Sequence, residues 1–441
     1  MRGFSLSFLS AVSTVWALAA CHVQNGDDGR GQSSAPAENG RPSDFAPDSE
    51  ANSVSNSSVM QMAAPPILTA SPFLQYYDPV QTLARLAQPV RFSTPRFYAM
   101  TPVVVQGTDG VEYLFTCHNN RSGITRDHIF ISYRDPSGRT VSYPIVGIDV
   151  QPAGMPTTSS APWDGFQICD PTVVEGLFTM GVGAAAKSYK YALLYNGNDN
   201  ANGYTGSFHN QLGVAFANNL RGPWVRYPYP LLWHKISDAD WGVGQPAVTA
   251  VDSMNGKILL FYTRGDSTGA AMYRRTITLR DSAKGFDIGT ETKILTSGLT
   301  SEGAYPGVLN NADIIYDGFR DRFIMARDFI SKEAAASYPS FIGDIVEIAD
   351  ISAKDLWANS NAWRSLKIFR PKDTGFHRNH NVGFSRNTFG GLVNKDKLDV
   401  FISISCANNS PDYTKQCPDS SGSNHFSYKV FRSQITFSSK Y

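Results

Sequence analysis

The sequence predicts an all-β fold, a five-bladed β-propeller, on three observations. The folded part is a series of short runs rich in Val, Ile, Tyr and Phe, separated by Gly, Asn, Asp and Pro, with little helical periodicity. An inner-type strand recurs at Thr101, Asp170, Gln245, Ala312 and Asn381, about seventy residues apart. Each recurrence is followed by a turn and a second strand. Units that cannot bury their faces alone must stack on neighbours, and five of them fill the domain. WD40 and kelch blades are shorter, at about 40–50 residues.

The blades follow in order along the chain. Blade one opens with Thr101-Pro102-Val103-Val104-Val105 and continues with strands at 113–117 and 128–134. Blade two reads as 170–174, 191–195 and 211–217, and blade three as 245–249, 258–262 and 271–279. Blade four is 312–316 and 322–326; blade five is 381–385 and 398–404. The ring is expected to close by pairing a segment within 66–98 with the final blade, which ends at 428–437. A large β-sandwich is the competing architecture.

The domain spans 66–441 and is preceded by two segments of different character. Residues 26–64 are Asn, Ser, Gly, Asp, Ala and Pro with almost no aliphatic residues. Such a stretch buries too little apolar surface to offset its ordering entropy, so 21–65 reads as a disordered tether. Residues 1–20 have a leader's layout, with Arg2 before an apolar run from Phe4 to Leu18. Leu18-Ala19-Ala20-Cys21 resembles the lipobox of bacterial lipoprotein signal peptides. That resemblance implies cleavage before Cys21, lipidation of Cys21 and anchoring through acyl chains alone. His22 in the next position implies the outer membrane of a diderm cell.

Charged residues make up 17% of the chain and the net charge is +1, which argues against nucleic acid or another polyanion as partner. The 20 Tyr and 7 Trp suit a β-protein and also a surface that stacks on sugar rings. Four cysteines follow Cys21, an even number that invites disulfides in an oxidising compartment. Cys406 and Cys417 bracket a short polar loop, which leaves Cys117 and Cys169 as the other pair. No cysteine or histidine spacing suits zinc. Gly181-Val182-Gly183 approximates a dinucleotide fingerprint, but a strand follows where a helix is needed.

Two signatures carry a resemblance to a known group. Blade two begins Asp170-Pro171-Thr172-Val173-Val174 and ends with Gly222-Pro223-Trp224 after Gly213-Val214-Ala215-Phe216-Ala217. Blade five carries Asn379-His380-Asn381. These resemble the five-bladed propellers of family 43 and related glycoside hydrolases, a remote likeness over the whole folded part. The resemblance implies carboxylates from different blades meeting in a funnel on the propeller axis. Glycoside cleavage needs one protonated carboxylic acid and one ionised carboxylate there.

On that basis the candidate catalytic residues are Asp170, Asp313 and Glu302. Asp170 stands early on an inner strand, Asp313 early on the fourth, and Glu302 in a loop entering blade four. Candidate substrate-binding residues are Trp163, Trp241, Gln245, Tyr305, Arg378 and His380, in segments expected to ring the funnel mouth. The chain also departs from the group. Thr101-Pro102 stands where its first inner-strand Asp belongs, Asp78-Pro79 lies outside the blade pattern, and Gln245 replaces a glutamic acid. An amide has no proton to give as general acid. The acid must then come from Glu302, Asp240 or a histidine, or catalysis is lost.

The sequence thus predicts an exported, lipid-anchored monomer that handles an oligo- or polysaccharide, as a glycoside hydrolase acting through funnel carboxylates. The alternative is a non-catalytic propeller that binds a glycan or serves as a scaffold. No metal site is read from spacing; a Ca2+ ion on the axis is the one cofactor candidate.

Overall fold

The structure, a computed structural model, describes residues 68–75, 97–119, 128–146, 163–165, 167–198, 209–234, 240–309, 311–337, 342–360, 362–405 and 428–437. The leader, the linker with Cys21, Asp78, Cys406 and Cys417 lie outside the described residues. β1 (Leu68–Gln75) comes first in the chain but completes the last blade. Blade one is β2 (Phe97–Gln106), β3 (Glu112–Asn119), β4 (His128–Arg134) and β5 (Thr140–Val146). Blade two is β6 (Gln167–Met180), β7 (Lys187–Asn198), β8 (Gln211–Ala217) and β9 (Val225–Arg226). Blade three is β10 (Gly242–Asp252), β11 (Lys257–Asp266) and β12 (Gly269–Thr278), its outer position shared by β13 (Asp287–Ile288) and β14 (Thr292–Lys293).

Blade four is β15 (Ala312–Asp317), β16 (Arg322–Phe329), β17 (Ile345–Ser352) and β18 (Arg364–Phe369). Blade five is β19 (His380–Asn387), β20 (Lys397–Ser405), β21 (Tyr428–Phe437) and β1. β1 pairs antiparallel with β21, Leu68 opposite Phe437, so the N-terminal segment supplies the outer strand of the last blade as expected. The inner strands of blades five and one meet in parallel, with Ser385 opposite Val104. The protein is a five-bladed β-propeller.

The core is a set of apolar layers between neighbouring blades. On β11, Ile258, Leu260 and Tyr262 face blade two, while Leu259 and Phe261 face blade four. This alternation buries both sides of one strand, which is why the strands near the axis read as nearly continuous apolar runs. Trp224 of the Gly-Pro-Trp turn is buried between blades one and two, edge-on to Phe115. A disulfide from Cys117 on β3 to Cys169 on β6 fastens the same two blades. Replacing both cysteines by Ala is expected to cost about 2–4 kcal/mol, read as a lower unfolding midpoint in denaturant.

The far end of the axis is closed by the hairpin between β19 and β20. Its backbone carbonyls at Thr388, Phe389 and Gly390 accept from Glu175 N, Ala250 N and Tyr316 N at 2.6, 2.9 and 3.1 Å. Three blades are thereby tied to one turn. Gly390 has φ +79° and its place for a Cβ lies 2.3 Å from Val248 O, so no side chain fits. Gly390→Ala is expected to lower stability by about 1–3 kcal/mol, measured by urea unfolding. Above the hairpin the side chain of Arg386 is fully buried, bonded to the Asp313 carboxylate and 3.4 Å from Thr172 Oγ1. The axis is therefore a funnel closed at one end.

Candidate functional site

Five residues, one per blade, form a ring at the head of the inner strands. Thr101, Asp170, Gln245, Asn311 and Asn381 have φ of 50, 51, 53, 49 and 45°. This left-handed region is uncommon for non-glycine residues and especially for a β-branched one, so each position carries strain. In four blades the ladder also breaks there, between Met100 and Val103, Cys169 and Thr172, Gly244 and Ala247, and His380 and Val382. The five ring residues line one axial channel of about 340 Å³ counting the open space at its mouth. In blade four the ring residue is Asn311, one position before the Ala312 expected from the apolar run.

Asp170 is the one carboxylate of the ring, 4% exposed. Burial pushes its carboxyl up to about 6, against the opposing effects of Asn196, His380, the Thr101 hydroxyl and the Gln245 backbone N–H. Asn196 Nδ2 on β7 donates to it over 3.5 Å. Asn381 is 1% exposed, and neither its Oδ1 nor its Nδ2 has a protein partner. Asn196 Oδ1 is likewise unpartnered. Buried polar atoms are paired in the great majority of cases, so the orphaned carboxamide of Asn381 on the channel wall marks a place built to receive hydrogen bonds.

A second cleft, about 590 Å³ counting its open mouth, runs from the ring towards blade four and shares Gln245 and Asn311 with the channel. Its wall includes Glu302, Tyr305, Asp328 and His380. Asp328, next to last on β16, has its Oδ2 2.7 Å from His380 Nδ1. Its Oδ1 accepts from Asn311 Nδ2 at 3.1 Å and Asn381 N at 3.2 Å. Asp328 thus fixes two ring residues and one histidine.

Of the expected site residues, Asp170, Gln245, His380, Tyr305 and Glu302 line the channel or the cleft. Glu302 stays at the mouth, its side chain 50% exposed and paired with Arg370 at 2.5 Å. Asp313 borders the channel with its carboxylate engaged: its Oδ2 accepts from Phe384 N at 2.8 Å and holds the buried Arg386. Trp241 is 3% exposed, within the blade packing and away from the mouth. Trp163 stacks on Tyr195 with centroids 5.9 Å apart, so one face of its indole is taken by the core. Neither tryptophan lines the cavities. Arg378 is buried too, donating to Ala334 O and to Ser337 Oγ, where it braces the short helix α1 (Lys332–Ala335). Asp240, the other acid considered, is buried beside Trp241.

Sequence reasoning missed Asn196, Asn311, Asp328 and Arg386 as parts of the site. A signal existed for Asp328: it closes the second strand of its blade, the end that lies against the next inner strand's head. Among the described residues no group of three or more His, Cys, Asp or Glu could hold a metal ion. Ca2+ takes about six to eight oxygens, usually with several carboxylates, and a ring with one carboxylate does not make that cage.

No known family's sequence profile matches the chain, and no curated protein is similar to it. Solved structures are similar at low identity. The α-L-arabinofuranosidase PaAbf62A from Podospora anserina, in complex with cellotriose, shares 9% identity at a TM-score of 0.48, covering 85% of this chain and 97% of its own. An endo-arabinase from Bacteroides thetaiotaomicron shares 12% identity at 0.43, covering 77% and 96%. An N-acetylgalactosamine deacetylase from F. plautii, in complex with blood group B trisaccharide, shares 14% at 0.46, covering 85% and 95%. At such identities and scores the functional reading rests on this chain's own residues.

Proposed function

We propose that the axial funnel is a saccharide-binding site and that the chain is an exported lipoprotein, anchored through Cys21, that presents it outside the cytoplasm. The observation that carries the reading is the orphaned carboxamide of Asn381 in a channel shared with Asp170. A closed-ended channel lined by amides, a hydroxyl and one carboxylate suits a ligand that both donates and accepts at many points, as a sugar ring does. The cleft towards blade four, with Tyr305 on its wall, leaves room for a further unit of the same chain. Thr101 and Gln245 hold ring positions without titrating protons, which favours binding over cleavage.

A second reading is favoured by one observation: a carboxyl raised to about 6 is poised to give or take a proton near neutral pH. With Asp328 as the other carboxylate, it would make the chain a glycoside hydrolase. Full-length protein incubated with a broad oligosaccharide panel separates the two. The binding reading predicts unfolding midpoints raised by particular glycans, with every glycan recovered intact by mass. Asn381→Ala is expected to weaken that binding about 10-fold or more. Cleavage lost in Asp170→Asn would establish the hydrolase instead. No thermal response and no product with any glycan would sink both.

A further inference from the structure

Asp170 is a buried carboxylate for which no lysine or arginine among the described residues supplies an ion pair. The basic side chains nearest along the axis make their direct bonds to other carboxylates. Arg386 is bonded to Asp313 and lies 3.4 Å from Thr172 Oγ1, and His380 is held on Asp328 through Nδ1. Around its carboxyl stand Asn196 Nδ2 at a long 3.5 Å, the Gln245 backbone N–H and the Thr101 hydroxyl, which itself donates to Met100 O at 2.8 Å, while His380 acts on it through space. Around it stand orphaned acceptors, Asn196 Oδ1 and Asn381 Oδ1, on side chains that are almost wholly buried. A buried negative charge without a direct ion pair, with spare acceptors beside it, is complementary to a compact cation that carries several N–H donors.

We infer that the axial channel receives a sugar bearing a protonated amine, its ammonium seated on Asp170 with Asn196 and Asn381 as the other acceptors. This rests on the saccharide reading above and narrows it to amino sugars. An ammonium brings three donors and one positive charge, whereas a hydroxyl leaves the buried charge uncompensated. N-acetylation removes the charge and two of the donors. A uronic acid would set a second carboxylate against Asp170. Below pH 6 the raised carboxyl of Asp170 takes up a proton, so the preference for the amine should fade with acidification.

The test is calorimetric titration of the full-length chain with paired oligosaccharides that differ only in N-acetylation, of gluco- and galacto-configuration. At pH 7.5 the amine member of a pair is expected to bind about 10-fold or more tightly than its N-acetylated counterpart. The gap should narrow at pH 5 in the unmodified protein, a readout that needs no variant. It should close in Asp170→Asn, whose folding is checked by thermal unfolding, while Asn381→Ala weakens both members. Equal or tighter binding of N-acetylated or neutral glycans overturns the amine inference and leaves the saccharide reading standing. Binding of Ca2+ alone, lost in Asp170→Asn, with no response to any glycan, overturns both. So does silence across the whole panel.

Discussion

Asp313→Ala is expected to destabilise the protein by about 3–5 kcal/mol, the largest effect of any single substitution considered. The reason is what it leaves behind. Arg386 is fully buried, and its guanidinium is held by the Asp313 carboxylate with Thr172 Oγ1 at 3.4 Å. Removing the carboxylate strands a positive charge where no water can solvate it. Asp313 also accepts from Phe384 N, so a backbone donor of blade five loses its partner in the same step. The paired change Asp313→Leu with Arg386→Met removes both charges together and should recover most of the loss, since a buried ion pair contributes little against apolar groups of like volume. Urea midpoints of the three proteins measure this. A single variant as stable as the parent would show that the pair does not plug the axis as described.

Asp170→Asn is expected to act in the opposite sense on stability while removing the preference for an amine. The folded carboxyl is raised from 3.8 to about 6, chiefly by burial. Between those values the native state holds a proton that the unfolded chain has released, so stability falls as pH rises through about 4 to 6. Two units correspond to roughly 3 kcal/mol at most. Asparagine carries no such penalty. At pH 7 the variant should therefore be more stable than the parent, and the difference between them should vanish below about pH 4. The preference for an amine-bearing glycan should be lost in the same variant. Denaturant unfolding from pH 3.5 to 7.5 would check the sign; a variant less stable at every pH would mean Asp170 is a structural hydrogen-bonding residue.

The strands were legible because those nearest the axis are covered on both faces and carry unbroken apolar runs, as 258–262 of β11 does. The Cys117–Cys169 pairing followed from the placement of the other two cysteines. Blade four was misaligned by one residue because Asn311 lies outside its apolar run, while Asp313 mimics the acid that blade two offers at its strand head. Trp163 and Trp241 were ambiguous in kind, since an aromatic before an inner strand can ring a mouth or fill a seam. The deciding residues are Gly213 and Gly244, whose missing Cβ atoms make room for the two indoles. Arg378 was expected at the funnel mouth and Arg386 was not singled out, because nothing local in a sequence says that an arginine is buried. That Asp328 reaches Asn311, His380 and Asn381 depends on blade stacking, which joins residues far apart in the chain.

The most direct measurement is a crystal structure of the protein grown with the tightest glycan from the panel. The account predicts one sugar ring in the axial channel, with polar atoms about 2.7–3.2 Å from Asp170 and from both ends of the Asn381 carboxamide. It predicts the next unit along the cleft past Tyr305. A glycan bound on the outer rim or at the closed end, with Asn381 still unpartnered, would contradict it.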